Sequence, residues 1–245
     1  MTEERKEKLK ENFARVRAEI AERNPHAVLL AATKTVPVEE INYAIDHLDL
    51  RYIGENRVPE LLEKYEAIHK TAPDGTPVKI HFIGHLQTNK VKYIIDKVDM
   101  IESLDRIALA EEIQRQAEKH DRTVEVLVEV NIGREEAKSG VDPDRVAEFL
   151  SEISAFSRIK VRGLMTMAPK CASFEEYLKY FAEMRQIFID IWGKNVHNKL
   201  ETYLSMGMSD SYTAALAAGS DMIRVGSTLF GARIYPEAIN TSMKK

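Results

Sequence analysis

The strongest constraint in this 245-residue chain is an alternation. Short apolar runs of strand character recur along it, each separated from the next by a stretch with helical spacing. The runs are 27–34, 51–56, 78–84, 100–103, 124–130, 159–167, 203–206 and 222–225. Between them, Ile41, Ile45 and Leu48 mark one helix, a second runs from Pro59 to about His69, and Val91, Ile94, Ile95 and Val98 mark a third. Further helices are expected over 105–120, after Asp142-Pro143, over 173–192, and from Ser209 to Ala218. Strict alternation forces parallel pairing through right-handed crossovers. Eight such units in a chain of this length fit a closed (β/α)8 barrel, an α/β fold. An open doubly wound sheet would carry a Gly-rich dinucleotide turn near its first strand, and the sequence has none there. An additional N-terminal helix over 2–23 precedes the barrel, with Leu9, Phe13, Val16 and Ile20 on one face. Thr2 suits its N-cap, and Asn24-Pro25 stops it. No linker or repeat divides the chain. The expectation is one domain, with the helix over 1–24, the barrel over 27–235 and a tail over 236–245.

The first run, Ala27 to Lys34, is apolar on both faces and ends in a lysine. Lysine is rarely fully buried without a partner. At a strand end it can snorkel to the surface. Alternatively, desolvation lowers its pKa and leaves a neutral amine, the nucleophile of a Schiff base.

Charge and cysteine content narrow the function classes. A formal net charge of -4 supplies no general attraction to nucleic acid or to an anionic membrane. The single cysteine, Cys171, cannot form an internal disulfide and fits a reducing compartment. No secretory signal or run of about 18 apolar residues is present, so a cytoplasmic location is expected.

In parallel barrels the chemistry sits at the C-terminal strand ends, and the loops after strands seven and eight often hold a phosphate. Here those loops are Ser205-Met206-Gly207-Met208-Ser209-Asp210 and Arg224-Val225-Gly226-Ser227-Thr228-Leu229-Phe230-Gly231. Both combine glycine, which permits close backbone approach, with hydroxyl donors. Ser209 could equally be a plain N-cap. Arg224 lies within an apolar strand and must meet an acceptor, either a structural carboxylate or the ring nitrogen of a bound heterocycle. A lysine, a phosphate cradle and an arginine at one mouth describe a pyridoxal phosphate (PLP) site. An arginine is always protonated and only donates, so it would keep a pyridine nitrogen unprotonated. That weakens the ring as an electron sink and argues against a transaminase or decarboxylase.

Several motifs carry a family resemblance. They are Ala32-Thr33-Lys34, Gly54-Glu55-Asn56, the block from His81 to Lys90, Val130-Asn131-Ile132, Lys138-Ser139-Gly140, and Gly163 to Met167, together with the two loops above. The chain resembles the pyridoxal phosphate homeostasis proteins, relatives of the N-terminal barrel of alanine racemase. Ile80 departs from the aromatic residue usual before the histidine, a packing change. The resemblance implies an aldimine between PLP and Lys34, with Arg224 facing the pyridine nitrogen. It also implies Ser205, Met206, Gly226, Ser227 and Thr228 near the phosphate, and Asn56 and His81 along the ring. Lys138 is a candidate for a second, transient contact, although a surface lysine is the commoner case. His85, Gln87, Asn89 and Lys90 read as a solvated loop and helix start.

The family implies a binder that buffers PLP and delivers it, with PLP-dependent apoenzymes as candidate recipients. An amino-acid racemase is the alternative, and it needs acid–base groups on both faces of the substrate α-carbon. In alanine racemase a tyrosine from a second domain supplies one of them. The sequence here ends soon after the eighth strand, which favours the carrier and a monomer unless a barrel tyrosine such as Tyr212 substitutes. A Schiff-base aldolase would leave Arg224 unexplained.

Overall fold

The computed structural model describes residues 1–193 and 202–231. Its strands are β1 (Val28–Ala32), β2 (Tyr52–Glu55), β3 (Lys79–Phe82), β4 (Met100–Leu104), β5 (Val124–Val130), β6 (Ile159–Thr166), β7 (Tyr203–Ser205) and β8 (Met222–Val225). Each pairs in parallel with the next, and β8 returns to β1 with Leu30 opposite Arg224, so the sheet closes. The expected (β/α)8 barrel is the observed one.

The helices are α1 (Glu3–Arg23), α2 (Val38–His47), α3 (Val58–Tyr65), α4 (Val91–Ile94), α5 (Ile107–Lys119), α6 (Val146–Ile153), α7 (Phe174–Trp192), α8 (Tyr212–Ala217) and α9 (Ser227–Phe230). Thr2 caps α1 by accepting the Arg5 N–H, and Asn24 ends it, as the sequence predicts.

Most ends shift by a residue or two, and four differences have a local cause or bear on the mouth. β1 stops at Ala32 rather than Lys34, because Thr35 takes a left-handed φ of 62° and turns the chain. The helix after β2 stops at Tyr65, since the following residues fold back so that Thr71 faces Pro77. After β3 a 3-10 turn, Thr88–Lys90, precedes the short α4. α8 begins at Tyr212, not Ser209. The barrel's expected end and the tail from 236 lie outside the described residues.

The main core fills the space between sheet and helices, with Ile53, Phe82, Ile101, Val126 and Ile223 among its buried members. Inside the barrel the apolar clusters are smaller. Leu30, Ala32, Ile83 and Met222 form one apolar group, and Met100, Leu127 and Met165 another. The rest of the interior includes buried polar side chains. Gly84 matters for the mouth: a Cβ there would overlap the Asn56 carbonyl, so only glycine lets the end of β3 approach that residue.

Candidate functional site at the barrel mouth

A cavity of about 540 Å³ opens at the C-terminal ends of the strands, where this fold places its chemistry. Lys34 lines it from the β1–α2 turn and is half-buried. The turn is held from beneath. Thr33 donates its hydroxyl to Glu55 Oε1 at 2.7 Å, and Lys64 Nζ donates to the Thr33 carbonyl at 2.9 Å. Lys64 also reaches Glu60 Oε1 at 2.6 Å, and that carboxylate accepts the Thr35 N–H. Burial raises the Glu55 carboxyl above its ordinary pKa, against the opposing pull of Lys64 and Thr33.

Arg224 projects from β8 into the barrel and lines the same cavity, although it is only 4 % exposed. Both sequence readings of its partner had physical grounds, and the structure supplies protein acceptors. Nη1 donates to Ser205 Oγ at 2.7 Å, Nη2 donates to the Thr166 carbonyl at 2.8 Å, and Glu102 Oε2 lies 4.0 Å from Nη1. Nε has no partner among the described residues. Asn56, just past β2, also lines the cavity, and its Oδ1 is buried without a hydrogen-bond partner among the described residues.

The loop after β8 contributes mainly backbone groups. The Gly226 and Thr228 N–H groups converge on Ser209 Oγ at 3.2 and 3.3 Å, and the Thr228 hydroxyl donates to the Ser209 carbonyl at 3.4 Å. Gly226 sits so close to β1 that a Cβ would lie 3.1 Å from the Ala32 carbonyl oxygen. Behind this loop, Arg5 and Asn12 of α1 donate to the Phe230 and Leu229 carbonyls at 2.6 and 2.9 Å.

The structure therefore brings Lys34, Asn56, Arg224, Gly226 and Ser227 to one cavity. Thr228 stands behind it, tied to Ser209. Three other residues singled out in the sequence lie deeper. Ser205 is fully buried, with its hydroxyl between Arg224 and Glu102. Met206 is buried, and its N–H is used by the Met222 carbonyl at 3.0 Å. His81 is buried with Nδ1 2.7 Å from Glu102 Oε1 and its ring edge-on to Tyr52.

Sequence reasoning missed several lining residues. Ile83, Met167 and Met208 form apolar wall, and Arg5 and Glu40 close one side as an ion pair. Ser209 was visible as a hydroxyl in the right loop, but its spacing from α8 suggested a cap. That spacing does not distinguish capping a helix from meeting the neighbouring loop. The group implied by the sequence fits this cavity on its own terms: the Lys34 amine, the Arg224 guanidinium, the buried orphan oxygen of Asn56 and the Gly226–Ser227 loop line about 540 Å³. Among the described residues no cluster of His, Cys, Asp and Glu could hold a metal ion, and no helix is long and apolar enough to cross a membrane.

Comparison with known proteins identifies the family and the fold. The family model described as "Alanine racemase, N-terminal domain" matches residues 5–234. The chain is 42 % identical, over 85 % of its length and 88 % of the relative's, to the pyridoxal phosphate homeostasis protein of Aquifex aeolicus. It is 35 % identical, over 91 % of its length and 96 % of the relative's, to the protein of that name from Escherichia coli. Among solved structures it is similar to PipY of Synechococcus elongatus with PLP bound, at 30 % identity and a TM-score of 0.76, covering 91 % of this chain and 100 % of that one. Alanine racemase of Clostridium difficile shares the fold at 17 % identity and a TM-score of 0.68, with 95 % of this chain matched to 58 % of that one. By sequence and fold, the chain belongs to the pyridoxal phosphate homeostasis protein family, built on the alanine racemase N-terminal barrel.

Proposed function

We propose that this protein holds pyridoxal 5'-phosphate on Lys34 and serves its homeostasis and delivery without robust catalysis. One observation carries the reading: Lys34, the Arg224 guanidinium, Asn56 and the Gly226–Ser227 backbone share a single cavity. Lys34 would hold the cofactor through its aldehyde, a linkage that water or another amine would reverse to free it. Arg224 offers Nε to the ring nitrogen, Asn56 lies along the ring, and Gly226 and Ser227 face the phosphate on a loop that Thr228 ties to Ser209. His81, Ser205 and Met206 support these groups from the barrel interior. When bound, PLP supplies a reactive aldehyde and a conjugated ring, and the cavity restrains the first while Arg224 limits the second as an electron sink.

A racemase is the second reading. It needs a base opposite Lys34. No tyrosine lines the cavity among the described residues, and Tyr212 is buried in α8 against the charged residues of α1. The carboxylates on the lining are Glu40, paired with Arg5, and the exposed Asp210. This favours the carrier. The same reading makes PLP-dependent apoenzymes the recipients, the protein a monomer, and the cytoplasm its location.

Borohydride reduction of the PLP-loaded protein followed by peptide mapping tests the attachment. A phosphopyridoxyl group on Lys34, absent in Lys34→Ala, is expected, and its absence from the wild type after added PLP would remove both readings. Amino-acid racemisation that disappears in Lys34→Ala would replace the carrier with the racemase.

A further inference from the structure

A buried chain of polar groups runs through the barrel interior to the back of Arg224. His81 of β3 is 2 % exposed and Glu102 of β4 is fully buried, as is Ser205 of β7. His81 Nδ1 lies 2.7 Å from Glu102 Oε1, Ser205 Oγ donates to Glu102 Oε2 at 2.7 Å, and Arg224 Nη1 donates to Ser205 Oγ at 2.7 Å. The connections are directional. An ionised Glu102 only accepts, so Nδ1 of His81 carries the proton and the single Ser205 proton points to Glu102. The Ser205 oxygen is then left to accept from Arg224. The Thr166 carbonyl takes Nη2 at 2.8 Å. A guanidinium is planar, so pinning both terminal nitrogens also fixes where Nε points.

Stability alone does not account for such a group. Burying charges inside a barrel is costly, and apolar side chains of similar volume often serve stability as well or better. Leu30, Met100, Leu127, Met165 and Met222 fill the neighbouring interior positions in that way. The network also holds the Glu102 carboxyl below its ordinary pKa, with His81 the leading cause. Burial pushes that carboxyl up, but His81, Arg224 and Ser205 together outweigh it. Glu102 therefore stays an anion behind a cation that lines the cavity.

We propose that Glu102, acting through Ser205 and backed by His81, is a positioning residue that fixes the direction and charge balance of Arg224, and through it the cavity's hold on a pyridine ring nitrogen. This rests on the reading above that Arg224 meets the cofactor ring. Neither Glu102, Ser205 nor His81 lines the cavity, so each acts through Arg224.

The test measures equilibrium binding of 4-deoxypyridoxine 5'-phosphate to the full chain. This ligand keeps the ring nitrogen and phosphate but lacks the aldehyde, so binding does not require Lys34. Wild type, Ser205→Ala and Glu102→Gln are compared, with inorganic phosphate as a second ligand and the pH dependence of the PLP-loaded protein's visible absorbance as a third readout. Ser205→Ala breaks the bridge yet keeps the ion pair, and it decides the matter alone if Glu102→Gln does not fold. The analogue's Kd is expected to rise about tenfold in the folded variants, while that of inorganic phosphate changes less than about twofold. The absorbance titration is expected to move by about one pH unit in Glu102→Gln, as Arg224 loses one of its two neighbouring carboxylates, Glu129 being the other. Folded variants that bind the analogue and titrate like the wild type overturn the proposal, as does an equal loss of inorganic phosphate, which marks a merely structural role. A wild type that binds no analogue overturns the cofactor reading as well.

Discussion

Glu129 lies on β5 two residues beyond Leu127, on the face that looks into the barrel, and is 3 % exposed. Burial, reinforced by Asp105, raises its carboxyl from 4.5 to about 7, against the attraction of Arg224 and Arg106. The folded state binds this proton more tightly than the unfolded chain does. The group's contribution to stability is thus complete below about pH 4.5 and is lost as pH rises through about 7. At ~1.4 kcal/mol per unit, the loss amounts to about 3 kcal/mol. In Glu129→Gln this contribution is absent. The wild type should therefore lose about 2–3 kcal/mol relative to the variant between about pH 5 and pH 8, read from urea unfolding. A constant difference would show that Glu129 is already ionised at low pH. A second residue-scale prediction concerns Thr35. A β-branched residue at φ 62° is strained by roughly 1–2 kcal/mol, and its side chain is exposed. Thr35→Gly should relieve the strain at some cost in chain entropy, for a net gain of about 1 kcal/mol in stability. A loss instead would show that the threonine side chain itself holds the turn that carries Lys34.

Among the elements, α1 and α9 form a clamp. Asn12 and Arg5 satisfy the last carbonyls of α9, and Phe13 meets Phe230 edge-on at 5.8 Å. The opposite end of α9 carries the Gly226 and Thr228 amides that converge on Ser209. An N-terminal helix that a barrel does not require thus steadies the loop assigned to the phosphate. Asn12→Ala leaves the Leu229 carbonyl unsatisfied and should cost about 1–2 kcal/mol in stability. It should also weaken inorganic phosphate binding by about threefold, while the borohydride adduct still forms on Lys34. Unchanged phosphate binding would limit the clamp to stability. The same logic explains why Arg5 and Glu40 reach the cavity: α1 and α2 pack beside the loop, and their ion pair closes its side.

For the whole molecule, closure is the decisive property. β8 hydrogen-bonds to β1 in register from Val28 opposite Met222 to Ala31 opposite Val225, so residues nearly 200 positions apart complete one sheet. A closed barrel has no free edge at which to come apart piecemeal. Unfolding in urea should be one cooperative transition, coincident by circular dichroism and by the fluorescence of the single tryptophan, Trp192. Separate transitions would contradict the expectation of one domain.

The sequence by itself determined the barrel, because alternating strand and helix units with no early Gly-rich turn leave few other topologies. It also put Lys34, Arg224, Gly226 and Ser227 at the mouth, since each lies at or just beyond the C-terminal end of a strand. It could not sort neighbours within a strand end. Ser205 and Ser209 sit in one loop segment with similar chemistry, yet the first points into the barrel toward Glu102 and the second meets the β8 loop. His81, too, resembles a cavity residue until its ring is seen against Glu102 and Tyr52. Side chains alternate across a strand, so the closed sheet's tilt and register decide which of two adjacent residues reaches the mouth. Arg5 and Glu40 depend on how helices dock on that closed sheet, a long-range packing outcome with no local sequence signal.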